Sequence, residues 1–177
     1  MAQMTTTTKI RKATIDDAAS IAEVHAESWR STYAGIVPAD LLKRRTAERL
    51  TPWWRQNLEQ ISAENTTSAV FVAEEPQGQL VGFVSAGQER TQDATYTGEI
   101  FAIYLFEHAQ GSGSGRVLFD EATKWLRNAG HQAMMLWVLA DNSSRGFYEH
   151  IGGQYLREQQ IEIGGASLRE LAYGWTI

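Results

Sequence analysis

The chain has 177 residues, a formal net charge of −5 and no cysteine. That length suits one domain with a substantial core, and the acidic balance argues against a general nucleic-acid binder. The missing thiol removes disulfides, thiolate metal sites and a cysteine nucleophile. The four histidines, His25, His108, His131 and His150, show no zinc-ligand spacing, so no metal is expected. No apolar run approaches the ~20 residues that span a bilayer. Residues 1–8 are polar and threonine-rich, unlike a signal peptide. The expectation is a frayed start, one domain over residues 9–177, a cytoplasmic location and no membrane partner.

Lys9–Ala13 reads as a first strand. Thr14 with Asp17 three residues on has capping-box spacing, and apolar residues at 15, 18, 19, 22, 26, 29 and 33 form a helical stripe ending in Trp29 and Tyr33. Gly35 and Pro38 stop that helix. One or two more helices fill 40–60, with an interruption expected at Thr51-Pro52, because proline suits a helical first turn. Ala69–Ala73 and Leu80–Ser85 flank the turn residues Pro76-Gln-Gly78 and predict a hairpin. Gly98–Phe106 is the next strand, 113–129 a helix stopped by Gly130, and Ala133–Leu139 another strand. Asn142–Ile151 predicts a short helix with Asn142 as N-cap. Gln154–Ile163 and Leu168–Trp175 make a closing strand pair around Gly164-Gly165. The order implies an α/β (α+β) protein whose mixed, mostly antiparallel sheet carries helices on both faces, with one parallel crossover near residue 110.

Gln110-Gly111-Ser112-Gly113-Ser114-Gly115-Arg116 joins a strand to a helix. Glycines at alternate positions let the backbone approach a ligand, and a helix start presents free N–H groups to phosphate. A nucleotide-hydrolase phosphate loop needs Gly-Lys-Ser/Thr, yet Gly115 is followed by Arg116-Val117. A dinucleotide fingerprint belongs near the first strand, and this loop comes late. A plain glycine-serine turn is the remaining alternative.

Gln110-x-x-Gly113-x-Gly115 between strand and helix resembles the acetyl-coenzyme A motif of the GNAT superfamily of N-acetyltransferases. Ile10–Asp17 is similar to the common start of that superfamily. Trp137–Asn142 followed by Phe147-Tyr148-Glu149 and Gly152-Gly153 is similar to its second cofactor motif. The resemblance implies the GNAT fold, in which one strand splays from its neighbour, and an enzyme that moves an acetyl group from acetyl-CoA directly to a primary amine of a small molecule or peptide. It implies that Ile103, Tyr104 and Leu105 offer main-chain groups to pantetheine. The amides of Gly111, Ser112, Gly113, Ser114, Gly115 and Arg116, behind Gln110, would hold the pyrophosphate. Asn142, or Asp141 beside it, would touch the pantetheine arm, because Phe147 follows Asn142 by five residues where six is commoner.

By the same resemblance Tyr148 protonates the leaving thiolate, as a phenol with an ordinary pKa of ~10 can. Glu99 would take the proton of the ammonium, directly or through water. Its competing reading is a strand-end charge in solvent. Trp29 and Tyr33 would line the acceptor pocket, partly exposed and suited to cation–π contact. Trp53-Trp54 either joins that pocket or packs a helix. His108 reads as a solvated turn residue. A homodimer through the last strand, Arg169–Trp175, is a further expectation. Two rivals are an inactive acyl-CoA-binding sensor or scaffold, and an ATP-using enzyme.

Overall fold

The structure, a computed structural model, describes residues 8–62 and 66–177. The expected fraying of residues 1–8 thus lies, Thr8 excepted, outside the described residues. The strands are β1 (Lys9–Lys12), β2 (Ser68–Glu74), β3 (Leu80–Gln88), β4 (Gly98–Leu105), β5 (Ala133–Leu139), β6 (Gln154–Ile163) and β7 (Ala166–Thr176). The helices are α1 (Ala18–Tyr33), α2 (Ala39–Arg44), α3 (Ala47–Ser62), α4 (Ser114–Asn128) and α5 (Arg145–His150). Among the described residues one sheet forms, ordered β1-β2-β3-β4-β5-β7-β6. Neighbours run antiparallel except β4 and β5, which the α4 crossover makes parallel.

Alternation along β2 shows how the sheet is covered. Ala69, Phe71 and Ala73 join the core that contains Leu118, Ala122 and Leu126 of α4. Val70 and Val72 point the other way, into a core with Ile21 of α1 and Trp54 and Leu58 of α3. Both faces are thus buried, which is why β2 reads as an unbroken apolar run. A third cluster joins Tyr33, Val37 and Leu42 to Leu139 and to Ile161, Ile163 and Leu168 of the β6–β7 hairpin.

Three expectations change. The helical break falls at Arg45-Thr46 and not at Thr51-Pro52; Pro52 lies inside α3. The bond it cannot make would have gone to Glu48 in the first turn, where a carbonyl is free to tilt. Thr46 starts the helix instead, its carbonyl accepting from Leu50 N–H at 3.1 Å. The last strand is not an edge: β7 lies between β5 and β6, because the hairpin turn puts β6 outermost. Asn142 is not the N-cap of α5; Ser144 holds that position.

The feature that positions the site is a bulge. Ser85 faces Ala102 and Ala86 faces Ile100, so Phe101 has no partner on β3. A bulge bends its strand and adds twist. Here β4 leaves β5 after only two pairs, Gly98–Met134 and Glu99–Met135.

Candidate active site

Beyond residue 99 the two parallel strands diverge, and a cavity of about 690 Å³ fills the gap. Ile103 and Leu105 of β4, Leu136 and Val138 of β5, and Phe147 and Tyr148 of α5 form its walls. The ladder register decides which main-chain groups face it. Phe106 N–H donates to Val81 O at 2.9 Å, which makes Phe83–Tyr104 the next hydrogen-bonded pair. The N–H and C=O of Ile103 and Leu105 therefore point away from β3, into the gap. Those of Tyr104 point at β3, which corrects the expectation for Tyr104: it contributes its phenol and not its backbone.

The glycine loop closes one end. Gly111 and Gly113 have φ of 72° and 90°, conformations open to glycine at little cost. Gln110, Gly111, Gly113, Gly115 and Arg116 line the cavity. Ser112 and Ser114 do not; they fasten the loop, with Ser112 Oγ bonded to Ala109 O at 2.7 Å and Ser114 Oγ to Thr8 Oγ1 at 3.2 Å. Arg116 N–H is taken by Gly113 O at 3.0 Å and Ser114 N–H by Ser112 Oγ at 3.4 Å, so among the described residues the expected row of free amides shrinks to Gly111, Ser112, Gly113 and Gly115. Arg116 turns its guanidinium to Asp120 at 2.9 Å. A helix start with free amides beside an unpaired strand edge fits a diphosphate joined to an extended amide-bearing arm.

Tyr148 is buried, borders the cavity and makes no hydrogen bond to any described side chain. Burial pushes its pKa above the usual phenol value, so the hydroxyl stays protonated. Asn142 lines the cavity, while Asp141 is exposed and does not. The Asn142 side chain accepts from Ser144 N–H at 2.8 Å and donates to Tyr33 Oη at 3.4 Å.

Trp29, Tyr33 and Tyr104 meet at their polar atoms. Trp29 Nε1 donates to Tyr104 Oη at 3.1 Å, and Tyr33 Oη lies 3.2 Å from the same oxygen. Tyr33 and Tyr104 line the cavity; Trp29 stands behind them. Tyr33 is buried, against the expected partial exposure, because α2 and the β6–β7 hairpin cover it. The Trp29 face expected for a substrate cation is occupied by Arg45, whose guanidinium carbon lies 3.6 Å from the ring centroid.

Glu99 is 1% exposed, which overturns the reading as a strand-end charge in water. Arg90 holds its carboxylate by two side-chain contacts of 3.1 and 2.6 Å and adds its backbone N–H at 3.2 Å. That pairing raises the Arg90 pKa above the ordinary arginine value. Arg90 also covers the Phe101 ring at 4.9 Å, so the carboxylate lies on the strand face that bears Phe101. Glu99 does not line the large cavity. Trp53, exposed, and Trp54, buried, border a second cavity of about 470 Å³ with Arg90 and Phe101. His108 is exposed as expected and stacks on Phe106 at 5.5 Å.

Ser28, Arg45, Arg90 and the Tyr104 phenol were not foreseen as site groups. Ser28 and the Tyr104 phenol act on partners more than 70 positions away, which only a register could have revealed, whereas Arg90 reaches Glu99 across a nine-residue turn.

The family comparison agrees with this geometry. The model of the acetyltransferase (GNAT) family matches residues 22–153. An N-acetyltransferase of Bacillus subtilis (strain 168), YuaI, is 34% identical over 166 residues, 94% of this chain and 91% of that one. The spermidine N(1)-acetyltransferase of Thermoplasma acidophilum is 26% identical over 135 residues, covering 76% and 80% of the two chains. Among solved structures, a PaiA N-acetyltransferase from Thermoplasma acidophilum in complex with coenzyme A superposes with a TM-score of 0.75, at 22% identity and 97% and 99% coverage. The chain belongs to the GNAT acetyltransferase family. It is an N-acetyltransferase, with acetyl-CoA as the acyl donor.

Among the described residues, no helix is long and apolar enough to cross a membrane.

Proposed function

We propose that this protein moves the acetyl group of acetyl-CoA directly to the primary amine of a small molecule or peptide. The observation that carries the reading is the gap itself: the unpaired β4 edge at Ile103 and Leu105 faces the cavity into which the Tyr148 hydroxyl opens. Acetyl-CoA supplies an activated thioester and departs as the thiol. The loop amides of Gly111, Ser112, Gly113 and Gly115 hold the diphosphate, and the helix start adds ~0.3–1 kcal/mol of favourable field. Ile103 and Leu105 offer main-chain partners to the pantetheine arm, with Asn142 beside it. A β4 amide polarises the thioester oxygen where charge grows.

The acceptor amine must lose a proton before it attacks. Glu99 receives that proton through water from the Phe101 side of β4, and Tyr148 gives its own proton to the leaving sulfur. Tyr33, with Trp29 behind it, shapes the acceptor side. The chain has no cysteine to carry the acetyl group, which supports direct transfer. The same reading carries residence in the cytoplasm and a single domain over residues 9–177. Any homodimer formed by strand pairing would use the exposed edges β1 or β6.

Thiol release from acetyl-CoA against a broad amine panel is the test. Release with some amines, cut ~10–100-fold in kcat by Tyr148→Phe while the acetyl-CoA Kd changes less than twofold, is expected. Binding of acetyl-CoA with no release for any amine would favour the sensor reading. Release unaffected by Tyr148→Phe would remove Tyr148 from the acid role.

A further inference from the structure

Arg45, in the break between α2 and α3, is a partly buried cation that forms no ion pair with any described carboxylate. Its Nε is buried and has no hydrogen-bond partner. Its guanidinium carbon lies over the Trp29 ring, and its Nη2 stands 3.5 Å from Nε2 of His25.

That last contact is a conflict of donors. Trp54 Nε1 donates to His25 Nδ1 at 3.2 Å, and an indole nitrogen can only donate. Nδ1 is therefore the acceptor nitrogen of the ring, and a neutral imidazole carries its one proton on Nε2. His25 is 8% exposed and packed among Trp29, Trp54, Phe83 and Tyr104, surroundings that keep it neutral. The Nε2–H and the Nη2–H thus face one another with no oxygen among the described residues to receive either. Buried donors are nearly always paired, and a guanidinium beside a second N–H is the usual receiver of an oxyanion.

We propose that Arg45 and His25 form an oxyanion subsite on the acceptor side, and that the acceptor amine also carries a carboxylate. The subsite adjoins the acceptor wall. Trp29, under the guanidinium, bonds to the Tyr104 hydroxyl, and Tyr104 and Tyr33 line the large cavity. One carboxylate oxygen placed within reach of both N–H groups satisfies the pair and neutralises the buried cation. A polyamine offers no such oxygen and brings further positive charge to Arg45. The assignment rests on the acetyl-transfer reading above and narrows its substrate class.

The test uses the full chain with acetyl-CoA and three probe sets: L-amino acids, the matching amino acid amides, and spermidine. The amino acids should have KM values at least tenfold below their amides. Arg45→Gln should erase that advantage by raising the amino acid KM, and calorimetric acetyl-CoA binding will report whether the variant is folded. His25→Gln, which keeps an acceptor for Trp54 and a donor toward the oxyanion, should restore much of what His25→Leu loses. Amides and spermidine turned over as well as amino acids, with Arg45→Gln indifferent among them, would overturn the subsite while leaving acetyl transfer intact. Inorganic phosphate that shifts the melting temperature through Arg45 without competing with any acceptor would overturn the assignment to the acceptor. No thiol release from any probe by the wild type would overturn the underlying reading instead.

Discussion

Ser28 Oγ donates to the carbonyl of Leu105 at 3.0 Å, tying the middle of α1 to the free edge of β4. Gln110 Nε2 reaches the same oxygen at 3.3 Å. The last acceptor of that edge is thus engaged by the protein, and the edge offers a ligand the groups of Ile103 and the N–H of Leu105. Ser28→Ala should cost about 1 kcal/mol, the net worth of one buried hydrogen bond, with Gln110 limiting the loss. Urea denaturation measures this; a change under 0.3 kcal/mol would mean that Gln110 alone satisfies the carbonyl.

Glu99→Gln separates a base from a structural anchor. A base matters most when the acceptor amine is protonated, so its loss should lower kcat/KM most at neutral pH. The deficit should shrink as pH climbs toward the pKa of the amine, where the acceptor no longer needs help. A deficit constant across pH would assign Glu99 to holding Arg90 and the bulged strand. Stability by thermal melting should be recorded alongside, because the substitution leaves Arg90 with a weaker partner.

Gly113→Ala tests the loop conformation. An added Cβ would meet nothing within 4 Å, so the penalty comes from the backbone at φ 90° and not from a clash. A left-handed alanine costs roughly 1–2 kcal/mol. The loop should relax partly and lose acetyl-CoA affinity several-fold by calorimetry, with a smaller fall in melting temperature. Full affinity would show that the diphosphate does not depend on this turn.

His25 predicts a pH slope. Burial lowers its pKa to about 3 from an ordinary value of 6.5. Between those values the unfolded chain binds the extra proton, so stability falls as pH falls through this window. The full slope is ~1.4 kcal/mol per pH unit. From pH 6.5 to 5 His131, whose pKa burial also lowers, and the first carboxylates add slope of the same sign, so His25→Gln should reduce the slope there without removing it. An unchanged slope in denaturant titrations would place the histidine in contact with water.

The sequence carried the site's outline through features that are local. The glycine loop, the helix behind it and the strand before it follow from glycine spacing and apolar period, and all three appear within a residue or two. Pro52 misled because a proline in a second turn is tolerated when the carbonyl it crowds lies near the helix end. The bulge at Phe101 left no trace in the alternation, since β4 is apolar on both faces. From that hidden step follows the orientation of Tyr104, while the burial of Glu99 under Arg90 and the meeting of Tyr33 with Asn142, 109 positions apart, depend on further contacts that no local pattern shows. Long-range partners need a register, and the apolar pattern of one strand does not supply it.

The two-pair junction of β4 with β5 divides the sheet into two panels, β1 to β4 on one side and β5, β7 and β6 on the other. Across the gap the panels share no ladder, so their mutual stiffness comes from α4, from the cluster of Tyr33 and Leu42 with Leu139 and Ile161, from the Arg157–Asp93 ion pair, and from whatever lies between them. On the reading proposed above, an extended donor seated there would work as a removable strand. Its arrival would close the seam and its departure reopen it, making the donor a mechanical part of the sheet during each turnover. Slowed amide exchange at Ile103 and Leu105 would accompany that closure, on the very groups the bulge set free.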